Sequence, residues 1–193
     1  DLLITNDAKA QLIGGAGSNF VNGVWDRPPV ASPVMVASAP VPVAPAPVPV
    51  APPLAPAPSS SGLSPIEQQI VDQTNQARVQ NGLAPLRVNM QLVQAAKIHA
   101  ADMASMGLME HDLPGAALPT LVDRARYVGY NYGWLGENIA YNYPDAYQVT
   151  TAWLASPGHR ANILNTNFTE IGLGVAYNSR GEAYYCQTFG SSY

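Results

Sequence analysis

Cysteine, charge and long apolar runs are all scarce in this 193-residue chain, and each scarcity removes a class of protein. The single cysteine, Cys186, can form no intramolecular disulfide and no cysteine-based zinc cluster. A lone cysteine suits a reducing compartment or an exported bacterial protein that does without disulfides. Cys186 itself reads as a small buried apolar residue. Charged residues make up only 11% of the chain, the formal net charge is −4, and there is no run of Lys or Arg. Without a basic stripe, neither nucleic acid nor an anionic membrane surface is an expected partner. No stretch reaches the ~18 consecutive apolar residues of a transmembrane segment. No signal peptide is visible, and the first residue is Asp1 rather than Met, which reads as a mature or trimmed product.

Proline is the opposite case: 18 are present, and their crowding divides the chain into three zones. Residues 1–27 form an N-terminal segment of unknown role. It holds small apolar groups (Leu2-Leu3-Ile4, Leu12-Ile13) and Gly14-Gly15-Ala16-Gly17, and it is too short to bury a core alone. No helix follows these glycines, so they do not read as a phosphate loop. Residues 28–62 form a Pro/Ala/Val-rich linker, typified by Val41-Pro42-Val43-Ala44-Pro45. Proline fixes φ and removes donors, so helix and sheet cannot propagate there. The expected state is a semi-rigid polyproline II spacer of roughly 90 Å when extended. Residues 63–190 have globular composition.

In that third zone Ser64-Pro65-Ile66-Glu67 is a helix start, and Gly82 is the stop. Ile66, Ile70, Thr74 and Ala77 recur at helical spacing. A second helix is predicted over Met90–Met106, with Leu92, Ala96, His99 and Met103 inward and Gly107 ending it. Shorter helices are predicted over Leu121–Val128 and from the N-cap Asp145 to Ala155. The period then changes to two. Ile171, Leu173, Val175 and Tyr177 alternate, Asn178–Gly181 turns, and Ala183, Tyr185, Gln187 and Phe189 alternate again, which is a β-hairpin. Asn138–Tyr141 adds a further strand. Helices first and a hairpin last give an α+β class.

All three histidines lie in this zone. His99 is mid-helix and reads as a packed core residue. His111 and His159 lie at element ends, where side chains can face a cleft. Glu137, between a Tyr-rich loop and a strand, is expected to be partly buried and to seek a partner such as histidine. The intervals are too long for a local metal motif. Two imidazoles and a carboxylate can hold Zn²⁺ with an open position, or do acid–base work near neutral pH. Tyr127, Tyr130, Tyr132, Trp134, Tyr141, Tyr143 and Tyr147 read as packing, or as the wall of a glycan or lipid cleft.

An ordered set of motifs goes further. Ile70-Val71-Asp72-Gln73-Thr74-Asn75-Gln76-Ala77-Arg78, Ala96-Lys97-Ile98-His99-Ala100-Ala101-Asp102-Met103, His111, Gly136-Glu137-Asn138-Ile139-Ala140, Ser156-Pro157-Gly158-His159-Arg160-Ala161-Asn162-Ile163-Leu164, Ile171-Gly172-Leu173-Gly174-Val175 and Tyr185-Cys186-Gln187-Thr188-Phe189 occur in sequence. In this order they resemble the CAP superfamily (the SCP, or cysteine-rich secretory protein, antigen 5 and pathogenesis-related 1 domain), and its cysteine-poor bacterial branch in particular. The resemblance implies a three-layer α-β-α sandwich with a cleft lined by His111, Glu137 and His159. Beside them Asn138 reads as a turn residue that ties the loop after Glu137 by backbone hydrogen bonds. It also implies that His111 and His159 can hold Zn²⁺ or another divalent cation. Many members carry a second acid near the helix before the last histidine, whereas Ala155-Ser156-Pro157-Gly158 has none.

The expected function is therefore a secreted or cell-surface, monomeric domain whose cleft binds a small molecule, lipid or glycan without catalysis. No Ser sits in a G-x-S-x-G elbow to serve as a nucleophile. One alternative is a metal-dependent hydrolase or peptidase with Glu137 as general base. Another is an adhesive or structural module on a Pro-rich stalk.

Overall fold

In the computed structural model, residues 62–193 are described, together with the backbone of four short upstream strands: β1 (Leu3–Asn6), β2 (Lys9–Leu12), β3 (Phe20–Val21) and β4 (Val24–Trp25). The expected linker over 28–61, and the role of 1–27 apart from those strands, lie outside the described residues. Residues Gly17–Pro58 form a unit of their own, in which β3 pairs antiparallel with β4.

Local chemistry sets the helix ends. At α1 (Pro65–Gln80), Ser64 and Glu67 cap each other's backbone N–H reciprocally, and Pro65 occupies the first turn. α2 (Met90–Met106) begins at Asn89, whose side chain accepts from the Gln91 and Leu92 amides. It ends at Gly107, whose φ of 66° is the left-handed value that glycine adopts without penalty. α3 (Leu121–Tyr127) carries a Thr120–Asp123 capping box, and α4 (Ala146–Ala155) is capped by Asp145.

Two elements depart from the sequence reading. His159 does not trail a helix end; it sits inside α5 (Pro157–Ile163). Ser156 both ends α4 and starts α5, because the proline after it suits a first helical turn. β6 runs Tyr132–Tyr141 rather than starting at Asn138, so Glu137 lies within the strand and not before it. Its side chains from Leu135 to Ala140 are buried on both faces, which erases the polar/apolar alternation that marks a half-exposed strand. A two-residue strand, β5 (Arg87–Val88), was also not foreseen.

The hairpin forms as expected, from β7 (Glu170–Tyr177) and β8 (Ala183–Ser192), with Ile171 opposite Phe189 and Tyr177 opposite Ala183. β8 pairs antiparallel with β6, and β5 runs parallel to β7. With β1 and β2 antiparallel beyond β6, the sheet order is β2-β1-β6-β8-β7-β5.

Helices cover both faces of this sheet, which makes the three-layer sandwich. On one face Ile139, Tyr184 and Cys186 pack on Ala96, Ala100 and Met103 of α2. On the other, Ile171, Leu173, Tyr185 and Phe189 pack on Ile70 and Val71 of α1 and on Val149 and Trp153 of α4. The Trp153 indole N–H donates to the Ile139 carbonyl at 3.1 Å, so this large ring is satisfied as well as buried. No helix among the described residues is long and apolar enough to cross a membrane.

The α2 layer sits unusually close to β7. A Cβ on Gly172 would fall 2.1 Å from the Leu92 carbonyl carbon, and one on Gly174 would fall 2.4 Å from that of Ala96. Both obstacles are backbone, so neither can turn aside. Gly174→Ala should therefore push α2 off the sheet and destabilise the domain by about 2 kcal/mol or more. A denaturant midpoint unchanged from wild type would show that the helix–sheet contact is looser than described.

Candidate functional site

Consecutive residues of a strand face opposite ways, and Glu137 and Asn138 use this to serve two layers at once. Glu137 points toward α2 and α3. Its carboxylate is fully buried, an expensive position for an ionised group without partners. Arg124 Nη2, also fully buried, donates to Oε2 at 2.7 Å, and the Cys186 thiol donates to the same oxygen at 3.3 Å. His111 Nδ1 lies 2.9 Å from Oε1. An ionised carboxylate only accepts, so this nitrogen carries the hydrogen and donates. His99 is sealed in the core with Nε2 3.5 Å from the same Oε1, and neither of its ring nitrogens makes a well-formed hydrogen bond.

These partners decide the protonation states. Burial pushes the Glu137 pKa up, but Arg124, His99 and the His111 hydrogen bond outweigh it and hold the carboxyl well below the usual range. His99 is pushed down to about 4, by burial first, with the Glu137 charge only partly opposing it. At neutral pH the cluster is a buried Arg124–Glu137 ion pair with neutral His99. Burial also raises the Cys186 thiol well above its ordinary value, so it is an inert donor and not a nucleophile.

Asn138 points the other way, toward α5. Its Nδ2 donates to the His159 carbonyl at 3.2 Å and to Gln187 Oε1 at 3.0 Å, while its Oδ1 accepts from Asn162 Nδ2 at 3.0 Å. Asn162 Nδ2 also donates to the Glu137 carbonyl at 3.1 Å, and Gln187 Nε2 donates to Thr74 Oγ1 at 2.8 Å. This buried amide chain ties β6, α5, β8 and α1 together. Asn138 itself is fully buried and reaches His159 only through the backbone carbonyl.

The structure thus joins Glu137 and His111 directly, while His159 lies in α5 and is tied to β6 through its carbonyl. His159 is half-buried, and its pKa falls to about 4, mainly through burial and in smaller part through the charge of His111. Glu137 forms the floor under His111 rather than an exposed wall. Among the described residues no group of three or more His, Cys, Asp and Glu side chains is placed to hold a metal ion.

Sequence reading missed Arg124, the main counter-charge. Its signal was present: in α3 it shares the buried side with Leu121 and Ala125, and a cation on an apolar face implies a buried anion. The aromatic stretch divides. Tyr130 is buried with its hydroxyl donating to Glu170 Oε2 at 2.7 Å, and Tyr132 is buried too. Tyr127 and Tyr147 stay 66% and 70% exposed, so they pack into no core.

Comparison with known proteins matches residues 71–189 to the cysteine-rich secretory protein family, CAP. YkwD of Bacillus subtilis is 39% identical over 118 residues, 61% of this chain and 44% of YkwD. The B. subtilis membrane protein YlbC is 37% identical over 123 residues, 64% of this chain and 34% of YlbC. The chain thus aligns with less than half the length of either relative. A crystal structure of an extracellular protein containing an SCP domain from Bacillus anthracis superposes with a TM-score of 0.58 at 36% identity, covering 65% of this chain and 40% of that one.

Two outcomes follow from the charge cluster. Glu137→Gln leaves Arg124 buried without its anion and should cost about 3–5 kcal/mol in urea unfolding; a stability within 1 kcal/mol (roughly) of wild type would contradict the pairing. Acidification should also weaken the fold. His99 has a folded pKa of about 4 against an ordinary 6.5, so the unfolded chain binds a proton that the folded one refuses. The His99 contribution is complete above pH 6.5 (roughly) and is lost as pH falls toward 4, by on the order of 3 kcal/mol in all. His159 adds a smaller effect of the same sign, because it is partly exposed, and Glu137 adds loss only below the ordinary carboxylate range. Melting curves at stepped pH should show the decline, and His99→Gln should flatten it between pH 6.5 and 4.

Proposed function

The chain belongs to the cysteine-rich secretory protein (CAP) family, and from that membership we propose that it is a secreted or cell-surface domain whose cleft binds a small lipid or glycan ligand without transforming it. The observation that carries this reading is the state of Glu137. Both carboxylate oxygens already accept hydrogen bonds, from His111 on one side and from Arg124 and Cys186 on the other. A general base needs a lone pair aimed at substrate and a pKa near the working pH. Glu137 has neither, since its carboxyl is held far down by its partners. Its role is to fix the His111 ring and tautomer. The extracellular location draws support from the B. anthracis relative, which is an extracellular protein.

The donor set fits a loosely held cation and not a three-ligand zinc centre. His111 and His159 supply two imidazoles, and Glu137 is committed elsewhere. A carboxylate holding His111 Nδ1 orients that ring as second-layer partners do at metal sites. A divalent cation here would lend positive charge to an anionic or hydroxyl-bearing ligand.

Isothermal calorimetry of the full chain with Zn²⁺ should show weak binding that is lost in His159→Ala, a half-buried position whose truncation spares the Glu137 cluster. Binding unchanged in that variant would remove the cation from the cleft. For the ligand itself, NMR titrations with palmitate-loaded micelles and with N-acetylglucosamine oligomers should shift the His111 and His159 resonances saturably for one class and weaken at least tenfold (roughly) in His159→Ala. Turnover of a peptide library that disappears in a still-folded Glu137→Gln protein would overturn the non-catalytic reading.

A further inference from the structure

Away from the cleft, a surface cavity of about 240 Å³ opens where the end of α1, the approach to β5 and the approach to β7 meet; Arg78, Leu83, Pro85, Arg87, Phe168 and Thr169 are among its lining residues. Arg78 is only 3% exposed. Its Nε donates to the Ala84 carbonyl at 2.9 Å, and Nη1 donates to the Ile163 and Asn165 carbonyls at 2.8 and 2.9 Å. Nη2 donates to the Phe168 carbonyl at a longer 3.3 Å. A guanidinium has five N–H groups, so these four bonds leave one, and it is on Nη2. Neutral carbonyls supply hydrogen bonds but no counter-charge, and among the described residues no carboxylate pairs with Arg78. A buried cation is normally answered by an anion.

Arg87 adds a second positive charge at the rim. Its side chain is 76% exposed, and its ion pair is one 3.3 Å contact to Glu170 Oε1. Glu170 is shared, because its other oxygen accepts from the Tyr130 hydroxyl. Two guanidinium groups therefore stand against one divided carboxylate. Leu83, Pro85 and Phe168 give the cavity an apolar side, and the exposed Thr166 and Thr169 place hydroxyls at its mouth.

We propose that this cavity binds a small oxyanion, a carboxylate or phosphate group, between Arg78 and Arg87. Guanidinium forks match the geometry of both groups. The volume suits a headgroup with a short apolar extension and is below the usual size of a drug-like site, roughly 300–1,000 Å³. The site is independent of the His111–His159 cleft, so either can fail alone.

The test is an NMR titration of the full chain at constant ionic strength, following the Leu83, Thr166 and Thr169 amides, with sodium phosphate, acetate and octanoate as probes. Saturable shifts with millimolar affinity are expected, at least fivefold (roughly) weaker in Arg87→Gln, whose exposed side chain holds up no core. Thr169→Val provides a second variant that keeps both charges and should weaken binding less. Tighter binding of octanoate than of acetate would identify a carboxylate with an apolar tail along Leu83, Pro85 and Phe168. Phosphate binding with no gain from the tail would identify a free oxyanion. Shifts that grow linearly without saturation, equal affinity in Arg87→Gln, or a response confined to His111 and His159 would each overturn the proposal.

Discussion

A carboxylate sealed away from water must be met by positive charge and by donors for both oxygens, and Glu137 is met from three elements. Arg124 comes from α3, His111 from the connection between α2 and α3, and Cys186 from the neighbouring strand β8. Each partner belongs to a different stretch of chain, so the charge can be buried only when all of them have arrived. The cluster therefore works as a register lock. A slip of β6 by one residue would turn Glu137 to the α5 face and away from Arg124, His111 and Cys186. The desolvation cost of such a pair can match or exceed its Coulomb gain. What it contributes is one specified alignment of sheet, α2 and α3, and the position of the His111 ring rests on that alignment.

The layers that support this arrangement are held by volume rather than by charge. α2 lies on a floor of Gly172 and Gly174, and its own facing residues are the small Ala96 and Ala100. That close approach leaves His99 sealed against Glu137. On the far side the contacts are large rings and branched chains: Trp153, Phe168, Phe189 and Ile70. The asymmetry has a consequence for the site. The thin layer under α2 accommodates the buried polar cluster, and the thick layer under α4 provides most of the apolar burial that keeps the sheet flanked.

Much of this was legible in the sequence. Capping residues Ser64, Asn89, Thr120 and Asp145 start helices, and Gly107 ends one, because those signals are local and chemical. The hairpin was legible because alternation survives in β7 and β8. β6 was partly hidden: a strand buried on both faces loses the alternation that reveals it, and two glycines, Gly133 and Gly136, read as loop. α5 was hidden by Pro157, which ends one helix as readily as it begins the next. His111, Glu137 and His159 could be nominated as polar residues near element ends. The pairing of Glu137 with Arg124 and Cys186 could not, because it exists only through the tertiary fold, although Arg124 on the apolar side of α3 already signalled a buried anion.

His111 and His159 are both reached from one dipeptide. Glu137 holds the His111 ring through its side chain, and Asn138, one residue on and facing the other layer, holds the His159 backbone. The strand's alternation converts adjacency in sequence into opposition in space. The two contacts are not equivalent, however. His111 is fixed at the ring by a charged hydrogen bond, so its tautomer and orientation are set. At His159 the bond reaches only the carbonyl, so Asn138 positions the residue's backbone and not its ring.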